Sequence, residues 1–158
     1  QFRRMKRLGM CANLFPNHHF YWGDQHYEMT VGPERATRMN ACATALAEGV
    51  PLAIHSDAPV TPLGPLFTAW CAANRVTASG RVLGTTERIS VPDALRTITL
   101  GAAWTLKLDG EIGSIECGKR ADFAVLQDDP LEIGAERLKD VRVWGTVQDG
   151  RVFPAAEA

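Results

Sequence analysis

The sequence predicts an α/β protein with a small all-β module at its C-terminal end, on three observations. First, two short apolar runs, Met10 to Phe15 and the one beginning Leu52-Ala53-Ile54, end in polar and imidazole side chains. Second, helical patterns follow both runs, and strand–loop–helix units lying side by side imply parallel strands with helical crossovers. Third, from Gly110 onward short β-branched and aromatic runs with turn signals replace the helical pattern.

Composition bounds the function. With 158 residues the chain is long enough to bury a sizeable core. A formal net charge of −1 gives no electrostatic basis for binding nucleic acid or an anionic membrane. No apolar run approaches a membrane span. Cys11, Cys42, Cys71 and Cys117 are scattered, without a Cys-x-x-Cys pair. That pattern favours free thiols in a reducing compartment, hence a cytoplasmic location, over a disulfide framework or a zinc knuckle. The chain opens on Gln1 with no signal-peptide pattern. The expectation is that an N-terminal portion is missing.

In chain order, Gln1 to Leu8 reads as the end of a helix. Phe2, Met5 and Leu8 recur at intervals of three, basic residues fill the gaps, and Gly9 suits the position after the helix. Met10 to Phe15 is a short buried strand. Pro16 to Asp24, rich in imidazole and aromatic groups, reads as a loop at that strand's end. Pro33 to Glu48 is a helix, with proline in its first turn, Glu34 facing the dipole and Gly49 beyond its end. Its apolar stripe is Ala36, Met39, Ala43, Leu46 and Ala47.

Gly49-Val50-Pro51 introduces the second strand, which ends abruptly in His55-Ser56-Asp57. Leu66 to Asn74 is a helix with Leu66, Trp70 and Ala73 inward, and Arg75 to Arg88 a loop. Ser90-Val91-Pro92-Asp93 starts a helix that runs to about Leu106: a capping serine, an early proline, and an acid three residues after the serine. In the terminal module, Phe123 to Leu126, Val141 to Val147 and Arg151 to Phe153 are strands. Asp149-Gly150 forms the hairpin turn between the last two. The division is therefore 1–109 for the α/β segment and 110–158 for the β module.

Chemistry in α/β proteins gathers at the carboxyl ends of parallel strands, and two such ends carry ionisable groups here. Asp57 can serve as a metal ligand, a general base or both; the plain alternative is a cap of the following turn. His18 or His19 at the first strand end can share a cavity with Asp57, since imidazole and carboxylate are common zinc ligands. Local stacking is the alternative for that histidine pair. His55, two residues before Asp57, points to the same side of the strand. A hydrogen bond from a buried imidazole to backbone suits it as well. Tyr21 and Trp22 offer aromatic surface to a pocket or to the core.

The tail from Gly110 to Leu126, Gly-Glu-Ile-Gly-Ser-Ile-Glu-Cys-Gly-Lys-Arg-Ala-Asp-Phe-Ala-Val-Leu, resembles the C-terminal signature of the metal-dependent amidohydrolase superfamily. Thr99-Leu100-Gly101-Ala102-Ala103 resembles the helix before that signature. His55-Ser56-Asp57-Ala58-Pro59-Val60 resembles the final barrel strand, whose aspartate binds metal and handles the proton of the attacking water. Asn17 to Asp24 resembles a loop of the branch that includes N-substituted formamide deformylases. His18 matches that branch's histidine and His19 a variable position.

The resemblance implies the C-terminal part of a (β/α)8 TIM-like barrel plus a small β-sandwich module. Its implied activity is metal-dependent hydrolysis of non-peptide carbon–nitrogen bonds, on a small amide or formamide, with a divalent metal, zinc above others, as cofactor. Asp57 is then the catalytic base and a metal ligand, and His18 the second ligand. His19, Tyr21, Trp22 and His55 are then expected to contact substrate. The superfamily's His-x-His and its mid-barrel lysine or acid are absent from the sequence. A barrel needs roughly 250 residues, so a catalytically incomplete portion that self-associates is expected. The alternatives are a deaminase of a cyclic base and a non-catalytic assembly module.

Overall fold

A computed structural model describes residues 1–156. Helix α1 (Phe2–Arg7) turns through Gly9, at φ 65°, into strand β1 (Ala12–Leu14). Helices α2 (Asn17–Gln25), α3 (Pro33–Arg38) and α4 (Cys42–Ala47) lead on to strand β2 (Leu52–Ile54), with a π-helical turn at His26–Thr30 after α2. Helices α5 (Pro65–Asn74), α6 (Val91–Ile98) and α7 (Leu100–Thr105) follow. The chain ends in β3 (Phe123–Leu126), a 3₁₀ segment at Ala135–Asp140, β4 (Val143–Gln148) and β5 (Arg151–Pro154).

Strands β1 and β2 are parallel and in register, Ala12 opposite Leu52 and Leu14 opposite Ile54. Their side chains join Trp70, Cys71 and Ala72 of α5, Ala94 of α6 and Ile89 just before it in one core. Strands β3, β4 and β5 form a separate antiparallel sheet. Asp149 and Gly150, at φ 48° and 77°, make the tight turn between β4 and β5. Two left-handed residues in succession give the turn whose twist matches a hairpin.

The module is tied to the α/β part through its 3₁₀ segment, which sequence periodicity does not reveal. Leu138 is fully buried in the main core. Trp70 Nε1 donates to the Glu136 carbonyl at 2.9 Å, and Asn74 Nδ2 to the Ala135 carbonyl at 2.8 Å.

Three expectations are corrected. Pro16 to Asp24 is not a loop but the greater part of α2. Aromatic and histidine side chains lower helix propensity, but two faces of this helix have packing partners. Phe20 meets Phe67 and Trp70 with ring centroids 5.3 and 5.9 Å apart. Gly23 lies where a β-carbon would come within 2.8 Å of Thr77 and Leu83 side-chain atoms.

The single helix expected over Pro33 to Glu48 is two, α3 and α4, broken at Met39-Asn40-Ala41. Asn40 adopts φ 47°, and the Thr37, Met39 and Asn40 carbonyls accept hydrogen bonds from Arg75 instead of staying in a helical ladder. The helix starting at Ser90 also breaks, at Thr99. There α7 turns to bring Gly101 against the backbone of Leu52, where a β-carbon would lie 2.1 Å from the Leu52 oxygen. The Ser90 cap is as expected, with Asp93 N–H donating to Ser90 Oγ at 3.2 Å.

A glycine pair tests how firmly the α3–α4 link is held. Gly80 and Gly84 both have positive φ, but only at Gly84 would a β-carbon meet backbone, the Thr37 carbonyl oxygen at 1.9 Å. Gly80→Ala is expected to cost about 1–2 kcal/mol, the left-handed penalty alone. Gly84→Ala should cost about 2 kcal/mol more, the scale of overpacking a rigid site. Urea unfolding of the two variants checks the difference; equal losses would mean the link yields freely.

Candidate active site at the strand ends

The parallel register puts the polar tips of β1 and β2 at the same end of the sheet. Beyond β1, the side-chain amide of Asn40 holds both backbone groups of Phe15. It accepts from Phe15 N–H at 3.1 Å and donates to the Phe15 carbonyl at 2.9 Å. Beyond β2, Asp57 is exposed at φ 54°, and its carbonyl accepts from Val60 N–H at 2.7 Å. Asparagine and aspartate tolerate left-handed backbone better than other non-glycine residues.

One threonine joins the two tips. Asn17 Nδ2 donates to Thr61 Oγ1 at 2.8 Å, and the Thr61 hydroxyl donates to the Ser56 carbonyl. The residue before His18 is thereby tied to the residue before Asp57. Asn17 and Thr61 are both buried, so the link lies in a low-dielectric setting, where hydrogen bonds are electrostatically stronger than in water.

His18, Trp22 and His26 lie four residues apart and share one face of the helix. His18 meets Phe15 at 4.4 Å between ring centroids, the Trp22 edge at 5.0 Å and His26 in a stack at 5.5 Å. Phe15 also stacks on His55, at 5.0 Å and 19°. His55, Ser56 and Asp57 line an open cavity of about 420 Å³ with Asn13, Thr68 and Ile98. His18 does not line that cavity.

Its surroundings set the charge state of His18. Burial pushes the His18 pKa down, and His26 and His55 add to that, while the Asp57 carboxylate opposes it. His18 is thus biased toward the neutral imidazole that can accept a hydrogen bond or ligate a metal.

The structure gathers His18, Trp22 and His55 around Phe15, puts Asp57 in the cavity that His55 lines, and sets two expected residues apart. His19 points into the core, fully buried, with Nε2 donating to the Met39 carbonyl at 3.0 Å. Burial, with the Arg75 charge adding to it, pushes its pKa down to about 3, so it stays neutral. Buried there, His19 cannot contact substrate. Tyr21 turns toward Phe20 and Phe67, 5.2 and 6.1 Å away, and reaches the cluster only through Trp22 at 5.5 Å. Sequence reasoning missed His26, because reading 16–24 as a loop hid the four-residue spacing that aligns it with His18.

The chain belongs to the amidohydrolase family, which it matches over residues 1–154. It is 31% identical over 150 residues to the N-substituted formamide deformylase of Arthrobacter pascens, 95% of this chain and 28% of that protein. A metal-dependent hydrolase of Pyrococcus horikoshii superposes with TM-score 0.70 at 24% identity, over 85% of this chain and 28% of that one. The 5-methylcytosine deaminase of Klebsiella pneumoniae superposes with TM-score 0.68 at 18% identity, over 99% of this chain and 36% of that one. The chain thus spans less than two fifths of these relatives.

The family implies a divalent metal. Among the described residues, no three histidine, cysteine, aspartate or glutamate side chains are placed to hold one. His18 and Asp57 therefore do not fit a complete metal site by themselves. Tight zinc binding takes three or more protein ligands in fixed geometry. Equilibrium dialysis of the 158-residue chain against zinc, followed by elemental analysis, is expected to leave well under one equivalent after chelator treatment. Stoichiometric, chelator-resistant zinc would mean that other ligands converge.

Proposed function

We propose that this chain supplies the closing part of the catalytic face of a metal-dependent hydrolase acting on non-peptide carbon–nitrogen bonds, of amides or formamides. The observation that carries the reading is the placement of Asp57 beside an open cavity, at the same strand ends as His18. Membership of the amidohydrolase family and the likeness to a formamide deformylase support the substrate class.

Asp57 acts as general base on this reading. It takes a proton from water as the water oxygen bonds to the substrate carbonyl carbon. It returns that proton to the nitrogen as the C–N bond breaks, releasing an acid and an amine. On this reading the His18 imidazole steadies the carbonyl oxygen as charge develops. His55, which lines the cavity with Asp57, contacts substrate, and Trp22 does so beside His18. A divalent metal, zinc on this proposal, needs ligands beyond the described residues.

The architecture proposed with this function is two-part. Residues 1–109 are the last strand–helix units of a (β/α)8 barrel. Residues 110–158 are a β module that further strands complete into a sandwich. The strand register puts Phe123, Val125, Val147 and Val152 on one face of the β3–β4–β5 sheet, and Val125 and Val152 are exposed. No described helix is long and apolar enough to cross a membrane; the cytoplasmic site of action proposed here rests on the four free cysteines.

Two outcomes check these proposals. In the catalytically competent protein, Asp57→Asn should lower kcat by about 10²–10⁴-fold, the range for a lost general acid–base, with an unchanged melting temperature. Near-normal turnover would refute the base assignment. The second concerns association. A two-stranded parallel sheet has two edges of unpaired backbone, which favour pairing with another chain. Light scattering of the 158-residue chain is therefore expected to show concentration-dependent association; a stable monomer at high concentration would count against the two-part architecture.

A further inference from the structure

We propose that His26 is a positioning residue that holds the imidazole of His18 in place, a role resting on the assignment of His18 to the active site. Eight residues separate the two, so along a straight helix their Cα atoms stand about 12 Å apart. Their ring centroids are nevertheless 5.5 Å apart and the planes within 30°. Both side chains must therefore lean toward each other across two turns, which leaves His18 little rotational freedom.

The backbone prepares this contact. The helix widens into a π-helical turn at His26–Thr30, a feature common at functional sites. The turn places Thr30 Oγ1 2.8 Å from His26 Nδ1, which fixes the plane of the ring. The other face of the His18 contact is equally fixed. Phe15 lies 4.4 Å away, with its own backbone held by Asn40. His18 is thus clamped between a ring anchored to Thr30 and a ring anchored to Asn40.

Stability alone does not account for a histidine at position 26. His26 Nε2 is buried and has no hydrogen-bond partner among the described residues. A buried polar atom left unpaired is costly, and a phenylalanine would stack on His18 without that cost. The orphan nitrogen sits beside the imidazole that the proposed chemistry uses.

The test uses the 158-residue chain with labelled histidines and reads nuclear Overhauser contacts between the rings of His18 and Phe15. In His26→Ala these contacts should fall by at least half, as His18 gains alternative rotamers. His26→Phe should restore them in part, because the stack survives while the bond to Thr30 is lost, and Thr30→Val should weaken them to a similar extent while leaving the ring in place. A His26→Ala protein that melts at a lower temperature but keeps the His18–Phe15 contacts would overturn the proposal, since it would mark His26 as packing only. So would a His26→Phe protein with no more His18–Phe15 contact than His26→Ala. If His26→Ala does not fold, Thr30→Val decides alone, and unchanged contacts in it are equally adverse. None of these readouts needs turnover. Failure of the hydrolase reading would instead appear as undiminished activity in Asp57→Asn.

Discussion

Arg75 lies wholly inside the protein, and its guanidinium is bonded to four main-chain carbonyls. Nε donates to Leu83 at 2.6 Å, Nη1 to Asn40 at 3.0 Å, and Nη2 to Thr37 and Met39 at 3.1 and 2.8 Å. A buried charge is tolerated only when hydrogen bonds replace its hydration, and here oriented carbonyl dipoles do so. The planar fork also sets geometry, because one rigid group fixes the α3–α4 link against the turn after α5. Asn40, held in that link, fixes Phe15 at the end of β1. The position of the candidate site thus depends on a cation some way outside it.

From Phe15 the constraint passes into the site through ring contacts. Phe15 touches both His18 and His55, so imidazoles from two different strand ends are referred to one phenylalanine. The Asn17–Thr61–Ser56 chain of hydrogen bonds joins the same two tips by a polar route. An apolar stack and a polar link working in parallel give the preorganisation that a hydrolytic site needs, since misplacement by an ångström is costly in rate. Asp57 differs in kind, being exposed on a left-handed turn, where a carboxylate can meet water and substrate.

The C-terminal module is anchored differently. Its sheet stands apart, whereas Leu138 is buried in the main core, and Trp70 and Asn74 bind the carbonyls of Glu136 and Ala135. Helix α5 therefore packs on the strands and α2 and also receives the module, which accounts for its unbroken run of buried residues from Thr68 to Asn74. Two structural layers share one helix, so changes at Trp70 reach both.

Local signals determined the strands, the Ser90 helix start and the Asp149-Gly150 turn, because a two-residue alternation, a cap and two left-handed residues act over a few positions. They also placed Asp57 and His18 at strand ends, and the tail motif pointed to the amidohydrolase family. Tertiary structure decided the rest. It made a helix of Pro16 to Asp24, since burial of Phe20 and His19 and the fit of Gly23 against Thr77 and Leu83 outweigh weak propensity. It split the helices expected at 33–48 and beyond Ser90, since Arg75 claims carbonyls far away in sequence and Gly101 closes on Leu52. It turned His19 into the core. Such outcomes rest on partners tens of residues away, and no pattern within a short window of sequence encodes them.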